Sequence, residues 1–531
     1  MVAASRPNIV LVVLDCVRAL SFPGTGGSDQ HLPRIAELRR ESVVYARAAT
    51  VAPWTLPAHA TLFTGRYPWE HGVMGDGQLR FDASVPTVPA LLRPQGYTSL
   101  ALSANGTLVP FLAQEGAFDA YRSAEWWEKT FRWLRPEELD LSPRTRSRGG
   151  RSTMSLLVSA VARRHSPRLP TDLIQTPHPT ATLFQRLSSG LPEVRPIVPG
   201  ADSISWVAID GLNRIARGIG FPDDPRPLPA APWIEGTLEA WLARRPPDQP
   251  FHCFINLLDA HEKYLSDGEV VPGLAAWLRF IRISQNQRRW LQGEWSPSDE
   301  EFRLLRELYE RTIRILDRRL GAIMDVLRRT GRWENTLFVV TSDHGQAFGE
   351  HGELFHERSP YQPLLHVPLW VRWPRGDGGG RTVRDAVSLV DVAPTMLAAA
   401  GADLPPGLPG VALDPYTTPP RSTPVLGMAD GFPCILHYRH TLSAAVVERL
   451  QHSYAVAYVG GVKAVVGLRG GETQCFDLDS DPNEQHNLAG AVSPDIEAAF
   501  QAARTVAHRI EAARGGTVDP ALEERLDSWG Y

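Results

Sequence analysis

The 531-residue chain has only four cysteines, Cys16, Cys253, Cys434 and Cys475, far apart and without CxxC spacing. That scarcity excludes a disulfide scaffold and fits a reducing compartment. Lysine is nearly absent: Lys129, Lys263 and Lys463 are the only ones, and the formal net charge is -4. So small a charge over this length creates no field for a polyanion, and no nucleic-acid partner is expected. Long apolar runs are missing too. No predominantly apolar stretch reaches the ~20 residues of a membrane-spanning helix, so no transmembrane segment is expected. The run Ile9 to Leu14 behind Arg6 is short, ends at Asp15 and lacks a small-residue cleavage site. It reads as a buried strand instead of a signal peptide, and the expected location is cytoplasmic.

What is present is a globular composition, 43% apolar, enough for a large core with room for a second, smaller unit. "RPNIVLVVLDCVR" is a continuous Val, Ile and Leu run that stops at a carboxylate, the pattern of a central parallel strand delivering Asp15 to the carboxyl edge of a sheet. "YTSLALSAN", "PFHCFINLLDAH", "NTLFVVTSDHG" and "HVPLWVRWP" read as further strands of the same type. Between them, Ser298 to Thr330 carries Leu304, Leu308, Ile315, Leu316, Leu320, Ile323 and Leu327 at helical spacing, which predicts a long amphipathic helix. The alternation predicts an α/β fold with a doubly wound, mostly parallel sheet covered by helices on both faces.

The pattern weakens from about 121 to 250, a Pro-, Trp- and Arg-rich insertion. Within it, Arg144 to Arg168 has seven arginines and no acidic residue. A solvated loop and helix is the plainer account; an amphipathic segment making peripheral membrane contact or attracting an anionic substrate is the sharper one. After the Pro-rich stretch Leu404 to Pro424, "SYAVAYVG", "KAVVGL" and "TQCFDLD" alternate and a helix follows from about Pro494 to Ala513, predicting a small antiparallel sheet packed with a helix. The division expected is a catalytic domain over 1–420 and a C-terminal α+β subdomain over 421–531.

Three polar clusters stand at predicted strand ends: Asp15, the pair Asp343 and His344, and the pair Asp259 and His261. Any one of them alone is more simply a strand-end Asp capping the next helix, but several on one sheet edge suit a divalent cation. In "APWTLPAHATLFTGRYPWEHG", Thr55 precedes Pro57 and a helical stretch. The hydroxyl is either an N-cap or an oxygen held at the positive end of the helix dipole, where an attacking group and an anion are both favoured.

These segments, with "TLPAHATLFTGRYPWEHGV", "LLDAHEKY", "LVDVAPTMLAAAG" and "CFDLDSDPNEQHNLA", resemble in order the signature segments of the sulfatases, in the alkaline-phosphatase superfamily. The resemblance covers most of the chain outside the insertion. It implies an alkaline-phosphatase-like fold, a small C-terminal subdomain, and one or two divalent metals at the sheet edge. By that resemblance Asp15, Thr55, Asp343 and His344 match metal-site positions, and His261 matches the histidine beside the leaving group. His356 falls where many members grip the anion, and Thr55 occupies the nucleophile position. His59 stands where an Arg is common, Asp76 where an Asn is often found, and Asn105 after another strand is a further polar contact. His59, Asp76, Asn105, His261 and His356 are thus the expected substrate-binding set. One ion is expected, Mn or Zn in preference to Mg or Ca, since imidazole and carboxylate ligands are mixed. Cys16 replaces the second of the two adjacent Asp ligands that many sulfatases carry, and reads as a buried thiol.

In sulfatases the nucleophile position is a Cys or Ser that becomes formylglycine, and Thr55 cannot become one. Its oxidation would give a ketone without the second hydroxyl that expels sulfate, so no formylglycine is expected. Threonine must act as an ordinary alkoxide, which phosphoryl chemistry tolerates better, because a phosphothreonine can be attacked in line by water or an alcohol. The expected function is therefore hydrolysis or transfer of a small anionic ester, with phosphodiester or phosphonate chemistry ahead of sulfate. A sulfuric ester hydrolase working without formylglycine is one alternative, and a catalytically retired anion- or partner-binding domain another. The sequence gives no oligomeric state.

Overall fold

Strands that are apolar on both faces are satisfied only in a sheet covered twice, and the computed structural model places them there. It describes residues 6–22, 32–74, 84–105, 108–112, 117–123, 233–262, 264, 279–280, 282–283, 286–356, 358–417, 423–430, 442–468 and 472–514. Asp76, the Arg144–Arg168 segment and most of the 121–250 insertion lie outside these residues.

In chain order the strands are β1 (Asn8–Leu14), β2 (Val43–Ala49), β3 (Thr98–Ser103), β4 (Ala120–Ser123), β5 (Phe251–Leu257) and β6 (Thr336–Thr341). The hairpin strands β7 (Ala347–Phe348) and β8 (Leu354–Phe355) follow, then β9 (His366–Val367), β10 (Leu369–Arg372) and β11 (Thr382–Ser388). The main sheet runs β11-β2-β10-β6-β1-β5-β3-β4, with β9 beside β2. At its centre β1 pairs in parallel with both β5 and β6, and every residue of the three is buried. One apolar cluster packs on each face of this sheet. The architecture is the expected alkaline-phosphatase-like α/β fold.

Two expectations need correction. "HVPLWVRWP", read as one more parallel strand, forms β9 and β10, and β10 runs antiparallel to both β2 and β6. After β6 only short elements intervene, so the chain is not carried back across the sheet by a long helix, and the next strand returns in the opposite sense. The 121–250 insertion is also narrower than expected. β4 pairs in parallel with β3 at the sheet edge, and the Trp233–Leu242 helix buries Ile234, Leu238 and Leu242 in the core. The sequence reading also passed over β2 and β11, whose mixed patterns (VVYARAA, TVRDAVS) have half-buried or exposed positions.

The long helix spans Asp299–Arg329, capped by a reciprocal Ser298 and Glu301 box, with three acidic residues in its first turn and Arg328 and Arg329 in its last. Both ends complement the helix dipole. Its apolar stripe, including Leu308, Leu316, Leu320, Ile323 and Leu327, lies against the sheet. The C-terminal elements are β12 (Val425–Ala429), β13 (Ser453–Val459), β14 (Val462–Leu468) and β15 (Gln474–Asp477), a four-stranded antiparallel sheet covered by the Pro494–Ala513 helix. No helix among the described residues is long and apolar enough to cross a membrane.

Candidate active site

Adjacent parallel strands β6, β1, β5 and β3 end together, so the residues just beyond them converge on one edge. Asp15 follows β1 directly, and its backbone N–H donates to Leu257 O at 2.9 Å. Asp343 and His344 follow β6. Ser342 fixes that turn by donating to Leu14 O at 2.5 Å while its Oγ accepts from Val17 N–H at 2.9 Å. Gly345 completes it, because a Cβ there would collide with the Pro363 carbonyl oxygen. Thr55 is the first residue of the Thr55–Thr64 helix, with Trp54 as N-cap. Its hydroxyl therefore does not cap the helix; it stands 3.4 Å from His344 Nε2.

Asp15, Asp343 and His344 are all fully buried. His344 Nδ1 donates to Gly345 O at 2.9 Å, leaving Nε2 as an unprotonated acceptor beside the Thr55 hydroxyl. That Nε2 faces Asp343 Oδ2 at 3.4 Å. Oδ2 has no hydrogen-bond partner, whereas Oδ1 accepts from His344 N–H at 2.9 Å and Cys16 N–H at 3.2 Å. Two lone pairs facing each other in a dry site repel unless a proton or a cation lies between them, and a carboxylate oxygen beside an imidazole nitrogen is a donor pair that fits a divalent ion.

The local electrostatics agree. Burial and the neighbouring Asp15 carboxylate push Asp343 well above the usual carboxylate range. Burial also raises Asp15, but His261, His344, His59 and the Asn105 hydrogen bond outweigh it and hold Asp15 below its ordinary value. Burial, reinforced by His356, drops His344 to about 3, so it is a neutral ligand-type imidazole.

Several expected substrate contacts are turned inward. His59 is fully buried, with Nδ1 on Thr55 O at 2.9 Å and Nε2 facing Asn256 Nδ2 at 3.4 Å. Both ring nitrogens are thus occupied, which departs from the expected grip on the anion. Asn105 Nδ2 donates to Asp15 Oδ2 at 3.0 Å and thereby orients the carboxylate. Asp259, expected beside His261 as a metal group, is taken by Arg319, whose Nε donates to Asp259 Oδ1 at 2.9 Å. His261 and His356 do meet, their ring centroids 5.1 Å apart, and His356 stacks on His344 at 4.6 Å.

Three site residues escaped the sequence reading. Asn256 donates to Asp15 Oδ2 at 3.3 Å and accepts from Ser103 Oγ at 3.3 Å. An amide inside an otherwise apolar strand was its signal. Glu262 Oε2 lies 3.3 Å from the Nδ1 atoms of both His261 and His356. Gln346 joins His356 Nδ1 (3.2 Å) to Tyr264, whose OH accepts from Gln346 Nε2 at 2.5 Å. Neither of the last two had a readable signal.

A mostly parallel sheet carrying carboxylates, imidazoles and a helix-start hydroxyl on its carboxyl edge defines the alkaline-phosphatase-like class. The sulfatase family model matches residues 237–402, and the type I phosphodiesterase / nucleotide pyrophosphatase model matches residues 9–86. Arylsulfatase K of Xenopus laevis is 32% identical over 38% of this chain and 36% of its own length. The chain thus matches only about a third of that relative. Choline-sulfatase of Rhizobium meliloti (strain 1021) is 25% identical over 96% of this chain and 88% of its own. The phosphonate monoester hydrolase of Agrobacterium radiobacter shares the fold, with a TM-score of 0.58 at 21% identity over 97% of each chain. The chain is thus similar to sulfatases over residues 237–402 and, at lower identity, to a sulfatase over almost its whole length.

Proposed function

We propose that the chain is a metal-dependent ester hydrolase or transferase in which Thr55 is the nucleophile, acting on a phosphodiester or phosphonate monoester. The observation that carries this reading is Asp343 Oδ2, without a hydrogen bond, beside the unprotonated His344 Nε2, with Thr55 Oγ1 at 3.4 Å from that same nitrogen. Asp15, Thr55, Asp343 and His344 would hold one divalent ion, which supplies Lewis-acid stabilisation of negative charge when bound.

The chain's own groups divide the remaining work. His59, by donating to Thr55 O, positions the first turn of the helix and hence the hydroxyl. Asn105 and Asn256 aim the Asp15 carboxylate. The helix start directs N–H dipoles toward incoming negative charge. His356 steadies the anion, and His261 gives its Nε2 proton to the leaving oxygen.

Sulfate esters are the second reading, favoured by the names of the sequence relatives. Against it stands the threonine, which lacks the second oxygen needed to expel sulfate. Intact-protein mass spectrometry after rapid quenching, with aryl phosphodiester, phosphonate monoester and aryl sulfate substrates, tests the proposal. A phosphoryl or phosphonyl adduct on Thr55 is expected. Turnover confined to the sulfate, or an unmodified Thr55 with every substrate that turns over, would overturn it.

A further inference from the structure

Cys16 has a backbone conformation that L-residues rarely adopt, with φ at 63°. Such a conformation persists only where the surroundings enforce it. Here Cys16 N–H donates to Asp343 Oδ1 at 3.2 Å and Cys16 O accepts from Tyr309 OH at 3.1 Å. The result aims Sγ at a second group of donors, 3.9 Å from His356 Nδ1. Ligand atoms from Cys16, His261, Glu262 and His356 all lie within 4.8 Å of one another.

We propose that Cys16, His261, Glu262 and His356 form a second cation site, distinct from the one at Asp343 and His344 and suited to zinc. The spacing matches the ion. With Zn–N and Zn–O bonds of about 2.0–2.1 Å, tetrahedral geometry sets donors about 3.3 Å apart, and a Zn–S bond of about 2.3 Å puts sulfur about 3.6 Å from nitrogen. The Glu262 Oε2 separations from both imidazole Nδ1 atoms are 3.3 Å, and the Cys16 to His356 separation is 3.9 Å.

Glu262 Oε2 is shielded from solvent and satisfied by no hydrogen bond, although two imidazole nitrogens stand beside it. Side-chain exposure rises from 5% at His356 through 18% at His261 to 29% at Glu262, with Cys16 fully enclosed, so an ion has a way in from the Glu262 side. A thiolate, two imidazoles and one carboxylate favour zinc over calcium or magnesium. Binding releases the thiol proton and any proton that His356 Nδ1 shares with Gln346 Oε1, 3.2 Å away. Coordination through Nδ1 leaves the Nε2 proton of His261 in place.

The two sites share a wall, because Cys16 Sγ lies 3.4 Å from Asp15 Oδ1 and His356 stacks on His344. On the reading given under Proposed function, an ion held there would supply Lewis-acid stabilisation beside His261, the residue assigned to the leaving oxygen.

The test uses the full-length protein, stripped of metal and reloaded with zinc or cobalt(II). About two zinc ions per chain are expected for the parent and about one for Cys16→Ser, by elemental analysis after dialysis. The cobalt form should show thiolate-to-metal charge-transfer absorption in the near ultraviolet, lost in Cys16→Ser and kept in Asp343→Asn. Should Cys16→Ser not fold, Glu262→Gln serves, with cobalt titration expected to show the thiolate band at more than about tenfold weaker affinity. One ion per chain in the parent, or a cobalt spectrum without the thiolate band, overturns the second site. Failure of the proposed reaction reads differently: two ions and the thiolate band, with no turnover of any ester.

Discussion

His344 Nε2 and Asp343 Oδ2 face each other at 3.4 Å in a fully buried site, and His344 Nδ1 is already committed to Gly345 O. A cation between them turns a repulsion into two bonds. Asp343→Asn should therefore lower affinity for the first metal by more than about tenfold and abolish turnover, with the fold retained. In the absence of metal, burial and Asp15 already favour the neutral Asp343 carboxyl, so the near-isosteric amide should melt no lower than the stripped parent. Calorimetry with and without a chelator checks both, and a stripped variant that melts clearly lower would contradict the account.

Thr55 is tested by a pair of substitutions. Thr55→Ala should reduce kcat by at least about a thousandfold, and Thr55→Ser should keep most of it, since the reacting oxygen survives. KM should move little in either. Near-normal turnover by Thr55→Ala would hand the nucleophile's role to water.

The small C-terminal sheet is tied to the main domain by a fully buried ion pair. Lys463 Nζ on β14 meets Glu484 Oε1 at 2.5 Å and donates to Pro360 O at 2.6 Å, while Glu484 Oε2 accepts from Gln362 N–H at 2.7 Å. Lys463→Met leaves an unpaired buried carboxylate and should cost about 3–5 kcal/mol. Adding Glu484→Gln should recover part of that loss. Urea unfolding of the two single variants and the double variant measures the coupling, and simple additivity would mean the pair is not energetically linked.

Acid should destabilise this protein partly through His252. It is buried against Phe118, with neither ring nitrogen hydrogen-bonded, and burial drops it to about 3. An unfolded histidine titrates near about 6.5, so as pH falls below that value the unfolded chain takes up a proton that the native state refuses. Stability from this group is complete above about pH 6.5 and is lost toward about pH 3, at up to about 1.4 kcal/mol per pH unit. His252→Phe should remove that slope. Comparing urea midpoints near neutrality and near about pH 5 gives the sign, and an unchanged gap between parent and variant would refute the assignment.

Much of the sheet edge could be read from the chain. Asp15, Asp343 and His344 each end a run of buried apolar residues, and a polar group at that place is conspicuous. The hydrogen-bond allocation was not legible: His59 turns inward to Thr55 O and Asn256, and Asp259 goes to Arg319, a partner far along the chain. The sense of β10 escaped as well, because a short apolar run has the same residues in either direction.

The sequence by itself determined the buried strands β1, β3, β5 and β6, the capped Asp299–Arg329 helix, the α/β class and the set of groups delivered to one edge, since periodicity, capping and strand-end polarity act within a few residues of one another. Only the tertiary structure decided which lone pairs are left bare. That depends on how groups hundreds of positions apart approach in a site without water, where each nitrogen or oxygen spent on one partner is lost to every other.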